Sequence, residues 1–159
     1  MWRTSTKRDM ATIKIISNLS EVTDRIREKI SVLKNPEYLL RPVCFDLVDL
    51  MTQRIHIDGR AVDGPIGTYN SVYLKERQRK YQRSADTKVI VSLTRQLEND
   101  WAVIAVPNGY GIGFNNQFNI QKMRWVEEIK QKSIGALSSS EREFARDRIQ
   151  ELVQEALRA

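Results

Sequence analysis

The chain is poor in the side chains on which most catalytic and metal chemistry is built. Among its 159 residues it has one histidine, His56, and one cysteine, Cys44. A protein zinc site takes three or four nitrogen or sulfur ligands, so this pair is too small a set to hold one. A lone cysteine also excludes a disulfide framework. Cys44 lies between Val43 and Phe45 in an apolar run and reads as a buried, inert thiol. A serine-histidine-aspartate machine would need all its proton transfer from His56, with Asp58 two positions away. A histidine that stabilises a turn explains the same pair without chemistry.

Glycine motifs are equally thin. GYGIGF, residues 109–114, has alternating glycines but neither the full spacing nor the strand-then-helix setting of a dinucleotide fingerprint. The carboxylates are mostly interleaved with bases at helical spacing, as in Glu127-Glu128 and Glu141, Glu143 and Asp147. No apolar run is long enough to cross a bilayer, and the opening MWRTSTKRDM lacks the hydrophobic segment of a secretion signal. No catalytic residue, cofactor or metal is expected, and the expected setting is the cytoplasm or a particle assembled there.

What the chain does have is enough apolar content, 41%, to build one compact domain over residues 1–159. Its formal net charge of +6 favours anionic neighbours, nucleic acid or acidic protein surfaces. After a charged lead of residues 1–10, ATIKIIS alternates Ile13 and Ile15 against Lys14 and predicts a strand. Val22, Ile26, Ile30 and Leu33 follow at helical spacing, with Asn35-Pro36 as a stop. A second helix is expected over about 37–56, from Leu40, Cys44, Leu47, Met51 and Ile55 on one face. Either Pro36 sits in its first turn and Pro42 kinks it, or it starts near Pro42.

Periodicity then fails from Gly59 to about Thr87, which predicts a long exposed loop. Its YLKERQRKYQR stretch sets Lys75, Arg77, Arg79, Lys80 and Arg83 against the single acid Glu76, a local net of +4. Tyr69, Tyr73 and Tyr81 are interleaved with these cations, a composition suited to holding phosphates or stacking on bases. A solvated loop is the plain alternative.

Val89, Val91 and Leu93 alternate as a strand would, TRQLEND reads as a turn or one helical turn, and Trp101–Val106 and Tyr110–Phe114 form a hairpin about Pro107-Asn-Gly109. Gly111 and Gly113 leave one face of the last strand bare, open to close approach by a helix or another chain. Trp101, Tyr110, Gly111, Gly113 and Phe114 are the candidate packing surface. A helix led by Asn119 runs to about residue 133. A last one, over 139–158, follows Ser138-x-x-Glu141, a capping-box spacing. The fold class is α+β: a small antiparallel sheet packed against helices, with a long basic loop or arm and a C-terminal helix.

Three segments resemble those of the neck and tail-completion (head-tail joining) proteins of tailed bacteriophages: ATIKIISNLSEVTDRIREKI, VSLTRQLENDWAV and GYGIGFNNQFNIQKMRWVEE. The resemblance covers most of residues 11–133. It implies a structural virion protein assembled as a homo-oligomeric ring between portal and tail, with portal, adjacent connector and tail proteins as partners. It also implies that PIGTYNSVYLKERQRKYQR is an extended arm, ordered on assembly, that touches a neighbouring subunit, an adjacent ring or packaged DNA. A basic nucleic-acid-binding module that uses Lys75, Arg77, Arg79, Lys80 and Arg83 by itself is the alternative. A small hydrolase built on His56 and Asp58 is the third reading.

Overall fold

The computed structural model describes residues 19–158; the strand expected over ATIKIIS and the lead of residues 1–10 lie outside the described residues. Helix α1 spans Leu19–Leu33 and helix α2 Pro36–Thr52. Asn35 caps α2, its side-chain oxygen accepting the Glu37 N–H at 3.0 Å, and Pro36 occupies the first turn, where the missing N–H costs nothing. Pro42 lies inside the continuous helix, so the earlier of the two starts is correct.

At its end α2 widens into a π-helical turn, Gln53–Ile57, closed by a 2.8 Å bond from the Asp58 N–H to the Gln53 carbonyl. The extra residue per turn brings both Ile55 and His56 inside. Gly59 follows with φ +65°, and a Cβ there would sit 2.4 Å from the Val89 carbonyl oxygen, so only glycine fits this corner.

The stretch expected as a long loop is folded. Arg60–Ala61 (β1) pairs antiparallel with Gly64–Pro65 (β2), and Ser71–Tyr81 forms helix α3. Asn70 caps α3 by accepting the Tyr73 N–H at 2.8 Å, and Gln82 closes it in the left-handed region at φ 51°. Residues 89–93, expected as a strand, belong to none. A single bridge among the described residues, Thr68 to Lys88, sits beside them, the Val89 N–H donates to the Gly67 carbonyl at 2.9 Å, and from Ile90 onward side chains rather than a ladder hold the segment.

Helix α4 (Gln96–Asp100) leads into strand β3, Trp101–Val106, which pairs with strand β4, Gly109–Phe114, from Trp101 opposite Phe114 to Val106 opposite Gly109. Asn108 takes φ 66° at the turn. Helix α5 runs over Gln117–Lys130 with Asn116, not Asn119, as its cap. Asn119 is instead a buried residue of the first turn; its amide donates to Asp100 Oδ2 at 2.8 Å, beside the Asn116 N–H at 2.9 Å. Helix α6, Ser139–Arg158, begins at the expected capping box: the Ser138 N–H reaches Glu141 Oε2 at 2.7 Å and the Glu141 N–H reaches Ser138 Oγ at 3.3 Å.

The result is an α+β architecture with a small antiparallel strand set and a C-terminal helix. Its main core gathers Met51, Ile55, Val89, Trp101, Phe114, Met123 and Ile134. A second cluster, Val43, Leu47 and Leu152, joins α2 to α6, and Ile112 and Leu137 pack against both.

Candidate functional site

The basic stretch divides into two sets of side chains with opposite fates. Every fourth residue of a helix returns to the same face, so Tyr69 just before α3 and Tyr73 and Arg77 within it converge inward. The tyrosine rings lie 5.4 Å apart, and the Arg77 guanidinium sits 4.3 Å from the Tyr69 centroid and 5.8 Å from that of Tyr73. Arg77 is 3% exposed and donates from Nη2 to the Ser92 carbonyl at 3.0 Å. Arg83 donates from Nε and Nη2 to the Leu93 carbonyl, at 2.8 and 2.6 Å. The Tyr69 hydroxyl donates to the Ile90 carbonyl at 2.5 Å and accepts the Ile90 N–H at 3.2 Å. With His56 on the Val91 carbonyl and the Val89 N–H on that of Gly67, these three side chains hold residues 89–93 in place of a strand ladder. Arg77 and Arg83 are thereby removed from the set of free cations, and the expectation of an extended arm is corrected accordingly: its inner face is core.

Lys75, Arg79 and Lys80 form the second set. All three are exposed, and among the described residues none makes an ion pair. Lys80 lies 5.3 Å from the ring centre of half-buried Tyr81. The cationic face is thus a short helical ridge of three charges.

The candidate packing surface is also corrected. Trp101 and Phe114 are buried in the chain's own core with ring centres 4.7 Å apart. The bare side of β4 is not open either, because Ile104 of β3 lies across it: a Cβ at Gly113 would stand 3.1 Å from Ile104 Cδ1. Tyr110 donates its hydroxyl to Glu37 at the start of α2, and this bond holds the Glu37 carboxyl below its usual range. The exposed apolar surface lies elsewhere, on α5, where Phe118 (77% exposed), Trp125 (54%) and Ile129 (76%) recur at helical spacing on one side. Sequence periodicity could assign these residues to an apolar side but had no means of showing that no other described residue covers it.

His56 and Asp58 do not form a pair. His56 donates from Nδ1 to the Val91 carbonyl at 2.8 Å, and Asp58 accepts from the Gln53 amide at 3.1 Å. His56 Nε2 is buried, with no hydrogen-bond partner among the described residues. Burial depresses the imidazole pKa, against the smaller opposing effects of the Val91 carbonyl and Glu98. The folded chain therefore binds fewer protons here than the unfolded one, and the stability that depends on a neutral His56 is complete above about pH 6.5 and lost as pH falls below it. In urea titrations at pH 7.5 and 5.5, His56→Gln is expected to lose less stability on acidification than the parent chain; equal losses would contradict this.

Cys44 on α2 is half-buried and free, with its thiol pKa raised by burial. Among the described residues no group of three His, Cys, Asp or Glu is placed to hold a metal ion, and no helix is long and apolar enough to cross a membrane. No family model, curated protein or solved structure matches the chain.

Proposed function

We propose that this chain is a structural virion protein of a tailed bacteriophage, a subunit of a ring in the neck, head-tail connector or tail-completion region, assembled in the host cytoplasm. The observation that carries the reading is the uncovered row on α5. Phe118, Trp125 and Ile129 stand in water in the isolated chain, and apolar surface regains about 25 cal/mol per Å² when another protein covers it. The three sequence segments that resemble neck and tail-completion proteins supply the particular kind of assembly.

Charge supports a head-to-tail arrangement. Glu143, Asp147, Glu151 and Glu155 recur every four residues on α6, all exposed, with Arg146 and Arg148 partnering the first three from the side. The ridge of Lys75, Arg79 and Lys80 lies on a different element, α3. A contact between unlike patches on successive copies is the kind that closes into a ring. Exposed charges of this sort orient the encounter more than they hold it.

The test is the native mass by light scattering, alone and with the portal and neighbouring connector proteins, across a range of salt. A discrete ring or portal-bound species is expected, and Phe118→Glu with Trp125→Glu is expected to abolish it. A parent chain that stays monomeric with those partners would sink the proposal. The second reading, a nucleic-acid-binding module, is favoured by the unpaired ridge alone. It requires a salt-dependent DNA affinity that is lost when Lys75, Arg79 and Lys80 are changed to glutamate.

A further inference from the structure

We propose that the cleft between α3, residues 89–93 and α5 is a binding site for a small carboxylate with an apolar body. The cleft has a volume of about 280 Å³, room for roughly nine waters at 30 Å³ each. Its walls include Val89, Val91, Leu97 and Val126, and among the described residues its lining holds two cations, Arg77 and Lys130, and no acid.

The charge of Arg77 is the unusual feature. A buried ion is costly unless paired, and buried arginines normally meet a carboxylate. Arg54 follows that rule, at 2.7 Å from Glu141, which leaves the wider hollow beside it electrically satisfied. Arg77 is more deeply buried than Arg54, yet among the described residues no carboxylate lies within 4.0 Å of it. Its side-chain hydrogen bond goes to the neutral Ser92 carbonyl, and the Tyr69 and Tyr73 rings offset only part of the desolvation. The missing element is one negative charge.

The rest of the lining narrows the ligand further. Lys130 makes no ion pair among the described residues, and the Tyr73 hydroxyl, also on the cleft, has no partner among them. The lining therefore offers two cations and a hydroxyl able to donate, with no described carboxylate among them. The Tyr73 N–H at the head of α3 is already taken by Asn70, and the two residues before it, Ser71 and Val72, do not line the cleft, so it does not present the run of free amides on which phosphate sites are built. One planar anion on a guanidinium, with a branched-chain or single-ring body against the valines, fits both the charge and the size.

The acid can be free in solution or be the C-terminal residue of another chain, and titration calorimetry at low salt separates the two. The probes are 4-methylpentanoate against 4-methylpentanamide, and a short peptide ending in leucine with a free against an amidated terminus. Saturable binding of at least one carboxylate form, at least about tenfold tighter than its amide, is expected. The form that binds identifies the source. Arg77→Gln is expected to remove the preference. Because Arg77 also holds Ser92, Ile129→Glu provides a second variant: it places a like charge at the cleft from a residue 76% exposed, and it is expected to weaken binding in a chain that folds normally. Equal binding of acid and amide, or no saturable binding of any probe at millimolar concentration, would overturn the proposal. These outcomes are read on the subunit itself, so they stand or fall separately from ring assembly.

Discussion

Replacing Arg54 by alanine is expected to destabilise the chain by about 3–5 kcal/mol, the loss typical when one partner of a buried ion pair is removed and the other is left charged in the interior. Arg54 leaves the π-helical turn and crosses to the far end of the sequence. Its Nε meets Glu141 Oε1 at 2.7 Å, with the two side chains 11% and 5% exposed. Its other nitrogens donate to the carbonyls of Arg60 at 3.1 Å, Ile134 at 3.2 Å and Ala136 at 2.9 Å. One guanidinium thus fastens β1, the 134–136 segment and the start of α6 to the end of α2.

Glu141 is doubly committed, since its other oxygen closes the capping box with the Ser138 N–H. Arg54→Ala should therefore leave a charged cap without its counter-ion, and the midpoint of urea unfolding should fall steeply. Glu141→Gln keeps an acceptor at the cap and should cost less. A double-mutant cycle of the two changes would measure the coupling. A loss below about 1 kcal/mol for Arg54→Ala, the scale of an exposed pair, would mean that the pair is solvated in solution.

Trp101→Ala is the second large effect, with an expected cost of about 3–5 kcal/mol from lost burial and the cavity left behind. Trp101 is 7% exposed and packs on Phe114 across the first register pair of the hairpin, in the same core as Met51, Ile55 and Met123. The comparison with Trp101→Phe makes the prediction specific. The indole Nε1 is buried with no hydrogen-bond partner among the described residues, so phenylalanine loses no bond there and should cost less than half as much as alanine. If alanine were tolerated with little loss while oligomerisation failed, Trp101 would be an interface residue, as its membership of the candidate packing surface implies. The same denaturation series on a monomeric preparation decides between the two.

Hairpin and helices were legible in the sequence where one local rule was enough. The Ser138-x-x-Glu141 spacing marks the head of α6 because capping needs only a hydroxyl and a carboxylate three residues apart. Pro107 and Gly109 locate the β3–β4 turn for an equally local reason. Helix α3 was missed because its apolar pattern is weak: its buried side is an arginine and a tyrosine, and periodicity counts arginine as exposed. The Asn70 cap was the one signal that could have revealed it. The strand expected at 89–93 failed for the complementary reason. Alternation of Val89, Val91 and Leu93 describes a segment with two kinds of face, and it says nothing of a neighbouring strand to complete a ladder.

The candidate site divides along the same line. Composition and spacing by themselves determined that the chain is an α+β protein with a concentration of cations and tyrosines between residues 69 and 83. They also determined which residues could share a helix face. Tertiary structure alone decided which of those cations are spent inside the molecule and which reach water, and that Arg77 is buried with no acid beside it among the described residues while Arg54 finds one 87 residues away. It also decided that α5 keeps its aromatic row uncovered. Desolvation and pairing depend on what stands within a few ångströms in space, and a linear pattern carries that information only for residues that are neighbours along a helix or a turn.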